Sequence, residues 1–143
     1  MRLVIDTNVL LSAVMSSASP SAQIFALWRS RKFDLLTAAE QIDEIARVTR
    51  YPKIRARLSP ALAGRLVNRL HDTAIVLQNL PKVDLASDPF DNYLLGLAEA
   101  GQAHFLVTGD GALLGLKSHK SARIVTPTAF LGSLKGWGAK QKP

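Results

Sequence analysis

Five carboxylates in this chain stand where a carboxylate can do chemistry. Asp6 closes the apolar run Leu3-Val4-Ile5, and Asp110 follows "HFLVT" by two residues. Asp88 and Asp91 open an apolar helical stretch, and Glu44 sits among branched aliphatic residues. Each has a structural use as well. Asp6, Thr7 and Asn8 are all helix-capping types, Asp110 lies between two turn-forming glycines, and Asp88 precedes a proline at the first helical position. Asp91 falls in the first turn, where the helix dipole favours an anion for structure and chemistry alike.

Taken together they pose a different problem. Carboxylates sharing one pocket repel one another and force some to protonate unless a cation neutralises them. The chain has no cysteine, so a metal must be held by oxygen or histidine, and hard oxygen donors select Mg²⁺ or Mn²⁺. Two such ions would neutralise about four negative charges, the arrangement used in phosphoryl chemistry with ions roughly 4 Å apart. His71, His104 and His119 lie away from the acidic motifs and are expected to be structural or solvated.

Glu44 is singled out by helical geometry. At about 100° per residue, Ile42, Ile45, Ala46, Val48 and Thr49 make one apolar arc, with Glu44 roughly 40° outside its Val48 edge. Asp43 falls outside the opposite edge and is the competing choice, while Glu40 is accounted for by a capping box begun by Thr37.

These residues need elements to position them. "RLVID" (2–6), "FDLLT" (33–37), "HFLVT" (104–108) and "ARIVT" (122–126) read as short buried strands, and 75–77 as a further strand or a helix end. Helices begin after Asp6, at Ser19-Pro20, at Thr37, at Ser59-Pro60, at Asp88-Pro89 and at Pro127, and Gly101 ends the fifth. Alternation of this kind implies an α/β fold with a central parallel sheet of four to five strands, covered on both faces. Ligands of such sheets bind outside the carboxyl ends of the strands, where Asp6 and Asp110 both fall.

The 143 residues suit a single domain, 1–135, followed by a basic tail, 136–143, expected to be disordered. No uninterrupted apolar run approaches the roughly 18 residues of a membrane span, and no signal-peptide pattern opens the chain, which suggests a cytoplasmic protein with no membrane partner. The net charge of +7 comes from one segment: Arg47, Arg50, Lys53, Arg55, Arg57, Arg65 and Arg69 contain no acid between them. A clustered basic face is the footprint of a polyphosphate partner, although a solvated helix face reads the same way.

The runs "VIDTNVLLSA", "EQIDEIARVTRYPKI", "DPFDNYLLGLAEAGQAHFLVTGDGALLGL" and "RIVTPTAFL" resemble PIN-domain proteins, and more narrowly the bacterial PIN-family toxins related to VapC. The similarity runs from residue 1 to about 134. It implies a three-layer α/β/α sandwich and a metal-dependent endoribonuclease, commonly the toxin of a toxin–antitoxin pair and commonly a homodimer. The family's acidic quartet maps onto Asp6, Glu44, Asp91 and Asp110, holding one or two Mg²⁺ or Mn²⁺ ions. Thr7, Asn8 and Thr108 match its supporting hydroxyl and amide groups, and Asp88 is grouped with them. RNA backbone contacts would fall to Arg47, Arg50, Lys53, Arg55 and Arg57.

Three rival readings stand beside it. A haloacid-dehalogenase-like phosphatase needs an aspartate two residues after Asp6, where this chain has Asn8. A receiver domain needs an acid closing a central strand, where the second strand ends in "LLTAAE". The third is a PIN-like module that binds nucleic acid without cutting it.

Overall fold

The computed structural model describes the backbone of residues 1–141 and the side chains of residues 1–135. The tail expected to be disordered lies outside the residues described with side chains. Six strands form one sheet: β1 (Arg2–Ile5), β2 (Asp34–Ala38), β3 (Ile75–Leu77), β4 (Phe105–Val107), β5 (Ser118–His119) and β6 (Ala122–Val125), in the order β3-β2-β1-β4-β6-β5. All neighbours run parallel except β5, which pairs antiparallel with β6. The sheet thus exceeds the expected four to five strands. Residues 75–77 are a strand, and the two-residue β5 is too short and too polar to show as an apolar run.

The helices are α1 (Thr7–Met15), α2 (Pro20–Arg29), α3 (Ala39–Val48), α4 (Pro52–Arg55), α5 (Pro60–Thr73), α6 (Asn92–Ala100), α7 (Gly111–Gly115) and α8 (Pro127–Gln141). Side chains alternate across a strand, so each central strand supplies two cores. Leu3, Ile5, Leu35, Phe105 and Val107 pack with α1, α2, α3, α5 and Phe130 of α8 on one face. Val4, Leu36, Leu106 and Ile124 pack with Leu94, Leu95, Leu97 and Ala98 of α6 and Leu113 of α7 on the other. Both faces being covered, the central strands read as continuous apolar runs.

Helix starts follow the sequence signals in part. Ser19 and Ser59 accept backbone N–H bonds as caps, each ahead of a proline. The Thr37–Glu40 capping box does not form. Thr37 stays inside β2 opposite Val76, its hydroxyl donates to Gln41 Oε1 at 2.7 Å, and α3 starts after Ala38 without a side-chain cap. Sheet pairing beyond the expected strand end takes Thr37 away from the cap geometry. Gly101 does end α6, and a Cβ there would run into the Leu36 side chain, which would have to shift to admit a larger residue.

Among the described residues no single helix is long and apolar enough to cross a membrane. The apolar α1 and α2 meet at a bend of 92° and turn Leu10, Leu11, Ile24 and Trp28 into the first core.

Candidate active site

The chain leaves β1 for β2 and β3 on one side and returns to β4 on the other, so the switch point lies between β1 and β4. Asp6 stands there. Its N–H extends the ladder to Val107 O at 2.9 Å, and the residue is only 8% exposed. One carboxylate oxygen accepts the Asn8 N–H at 3.4 Å, a long cap bond for α1, and the other accepts the Thr108 hydroxyl at 2.7 Å. The capping role and the site role of Asp6 are therefore compatible.

Thr108 ties two acids together. While donating to Asp6, its hydroxyl accepts the Asp110 N–H at 3.0 Å, and Asp110 in turn caps α7 by accepting the Ala112 N–H at 3.1 Å. Asp88 caps a 3-10 turn, Pro89–Asp91, through the Phe90 N–H at 3.0 Å. Asp91 makes no capping bond, which frees its carboxyl for the cleft.

Glu44 comes from the opposite helical layer. It is half-buried on α3 and lines the cleft, whereas Asp43 is exposed and does not line it; Ala46, placed on the apolar arc by spacing, is exposed. One Glu44 oxygen accepts from the Thr7 hydroxyl and, at 2.7 Å, from the Tyr93 hydroxyl. Tyr93 is a partner of Glu44 that spacing alone does not reveal. Its only trace is a polar-tipped ring two positions after Asp91 in an aliphatic helix, a ring whose hydroxyl needs a partner when buried. Gln41 is a second polar residue whose structural role spacing does not reveal. Fully buried, it donates to Ile5 O at 2.6 Å and accepts from Thr37, pinning α3 against the end of β1 one turn before Glu44.

Asp6, Glu44, Asp91 and Asp110 line one cleft of about 820 Å³, with Thr7, Asn8, Asp88 and Arg47 also in its wall. Thr108 supports the cleft from behind, and none of the three histidines lines it. Burial raises the Asp6 pKa above the ordinary carboxylate value, opposed by the Thr108 and Asn8 hydrogen bonds and reinforced by Glu44 and Asp110. Burial also pushes Asp91 up to about 6, helped by repulsion from Asp6, Asp88 and Asp110 and by a hydrogen bond shared with Asp110. Tyr93 is held neutral, mainly by burial and then by the Glu44 carboxylate.

The donors are all oxygen and crowded with negative charge, which fits a hard divalent cation. Among the described residues, however, no group of three or more His, Asp or Glu side chains could hold a metal ion as placed. The fit lies in donor type and charge, without a preset coordination geometry.

The basic segment divides among neighbouring surfaces. Arg47 lines the acidic cleft and also an adjoining groove of about 480 Å³ that it shares with Arg50, Phe90 and Tyr93. On its other side Arg50 meets a third groove, which Arg55 also lines. Lys53 and Arg57 are exposed and line none of these three. Arg65 and Arg69 face a separate groove with Arg29.

An acid-lined cleft at the carboxyl edge of a parallel sheet, built from both helical layers, defines a class of α/β domain. Within that class the assignment is direct: the PIN domain family model matches residues 2–112, and the chain belongs to that family. The matched span takes in all five cleft carboxylates, Asp6, Glu44, Asp88, Asp91 and Asp110. PIN domains are typically nucleases and generally use divalent metal ions. Comparison with curated proteins and with solved structures gives no match.

Proposed function

We propose that this protein is a metal-dependent endoribonuclease of the VapC-like kind, acting in the cytoplasm as the toxin of a toxin–antitoxin pair, with a cognate antitoxin and a second copy of itself as partners. The observation that carries the nuclease reading is the meeting of Asp6, Glu44, Asp91 and Asp110, from four separate parts of the chain, in one cleft with Arg47 in its wall.

Asp6, Asp91 and Asp110 would hold a Mg²⁺ or Mn²⁺ ion, with Glu44 positioned for a second ion or for the attacking water. Bound there, a divalent ion lowers the pKa of water and offsets charge on the phosphate. The protein's own groups do the rest. Thr108 fixes the separation of Asp6 and Asp110. Thr7 and Tyr93 orient Glu44 by donating to the same oxygen. Arg47 and Arg50 attract the RNA backbone, so affinity should fall steeply with salt.

The test is cleavage of a labelled single-stranded RNA by the purified protein with Mn²⁺ and with a chelator. Ion-dependent cutting supports the reading. Ion-independent cutting, or binding without cutting across many RNAs, favours a contaminant or the non-catalytic binding module.

A second expected result concerns Tyr93. Tyr93→Phe keeps the ring and removes one of the two donors to Glu44. Because loss of an outer partner typically costs about 10–100-fold, the turnover rate should drop roughly tenfold with little change in RNA affinity. A loss confined to affinity would place Tyr93 at the substrate instead.

A further inference from the structure

Phe90 is the most exposed large apolar side chain among the described residues, at 76%. It does not sit on a loose loop. The Asp88 carboxylate accepts its N–H, Pro89 precedes it, and the Asp91 N–H closes the turn on Asp88 O at 3.0 Å. Just beyond, the Asn92 side chain accepts from the N–H groups of Leu85 and Ala86 at 3.1 and 2.9 Å, anchoring the incoming chain. A fixed turn therefore holds a bare ring in water.

Its place is as informative as its exposure. Phe90 forms part of the wall between two depressions, the carboxylate cleft and the groove of Arg47 and Arg50. Neither arginine makes an ion pair among the described residues. A strand of nucleic acid crossing from groove to cleft would bring its phosphates past the arginines and its bases past the ring. Bases offer a π-face to an aromatic ring only when they are unpaired and unstacked from their neighbours.

We propose that Phe90 is a stacking platform for one unpaired nucleobase next to the cleaved phosphate, and that it makes single-stranded RNA the preferred substrate. This rests on the ribonuclease reading for the identity of the strand. The contact is largely indifferent to which base it takes, since every base has a π-face, so it selects strandedness rather than sequence.

The experiment uses the full chain carrying Asp6→Asn, so that the RNA stays intact, with a fluorescein-labelled single-stranded decanucleotide and the same sequence as a duplex. Phe90→Ala and Phe90→Leu should weaken single-strand binding roughly tenfold or more, Phe90→Trp should preserve it, and duplex binding should not change. A single 2-aminopurine moved along the strand should be quenched at one position by the parent and by Phe90→Trp, and not by Phe90→Leu. Equal affinities for all four proteins would overturn the proposal. So would a leucine variant as tight as tryptophan, which would mean simple apolar contact. Wild-type protein that never cuts RNA, combined with the expected Phe90 pattern, would sink the nuclease reading and leave the stacking platform standing.

Discussion

Asp6→Asn is expected to reduce RNA cleavage to below about one hundredth of the wild-type rate while leaving the protein folded. The magnitude follows from position: outer partners of metal ligands cost about 10–100-fold when removed, so deleting a ligand itself should exceed that range. The fold survives because asparagine has the shape of aspartate and its carbonyl can still accept the Thr108 hydroxyl that Asp6 now accepts at 2.7 Å, giving up only the long 3.4 Å bond from the Asn8 N–H. Stability should move in the opposite direction from activity. The Asp6 pKa is raised in the folded protein, chiefly by burial, so its contribution to stability is present at low pH and is lost as pH rises through the folded value. At neutral pH the buried carboxylate opposes folding, and a neutral amide removes that cost. In a chelator, the thermal midpoint of Asp6→Asn should therefore equal or exceed that of the wild type. Full activity in the variant would place the chemistry elsewhere or expose a contaminating nuclease. Lost activity together with a clearly lowered midpoint would mean that Asp6 matters to the fold more than to the reaction.

What could be foreseen from the residues divides along physical lines. The central strands were legible because β1, β2 and β4 are buried on both faces, and a doubly buried strand must be apolar throughout. That in turn fixed the sheet's carboxyl edge and with it Asp6 and Asp110. Helical phase singled out Glu44 but left Asp43 at the opposite edge of the arc, because it could not show that Ala46 at that edge is exposed and that the buried face therefore lies nearer Glu44. The contributions of Tyr93 and Gln41 were not legible, because each depends on a hydrogen bond to another element: Tyr93 reaches across to α3, and Gln41 across to the last carbonyl of β1. The capping box failed for the same reason in reverse. Thr37 and Glu40 have the right local spacing, but pairing of β2 with β3 through Thr37 and Ala38 extends the strand past the expected cap. The basic run was read as one face, whereas Pro52 restarts the chain as α4 and spreads Arg47, Arg50 and Arg55 over three adjoining depressions.

Divalent ions should stabilise the protein at neutral pH and lose that effect as the solution is acidified, with Asp91 as the main reporter. Its folded pKa of about 6 lies above the ordinary aspartate value of 3.8, so between these values the folded state binds more protons than the unfolded state. For this group stability is fully present below the unfolded value and lost as pH rises through about 6. Metal-free wild type should accordingly show a positive contribution to its midpoint as pH falls from 7 toward 4, and Asp91→Asn should show that contribution reduced. A cation competing for the same oxygens reverses the preference by favouring the ionised carboxylate. At a hundredfold excess over its Kd, an ion binding only the folded state adds about 2.7 kcal/mol, roughly 8 °C for a chain of this size. Differential scanning fluorimetry with Mn²⁺ at pH 7.5 and at pH 5 measures both effects. The shift should be large at the higher pH, small at the lower, and sharply reduced at both in Asp91→Asn. A midpoint indifferent to Mn²⁺ at pH 7.5 would mean that the crowding of Asp6, Asp91 and Asp110 serves something other than a cation. An unchanged Mn²⁺ shift in Asp91→Asn would move the ion to acids other than Asp91. The pairing of the two measurements matters, because repulsion among the carboxylates links them: the negative charge that adds to burial in raising the Asp91 pKa is the same charge that attracts the ion.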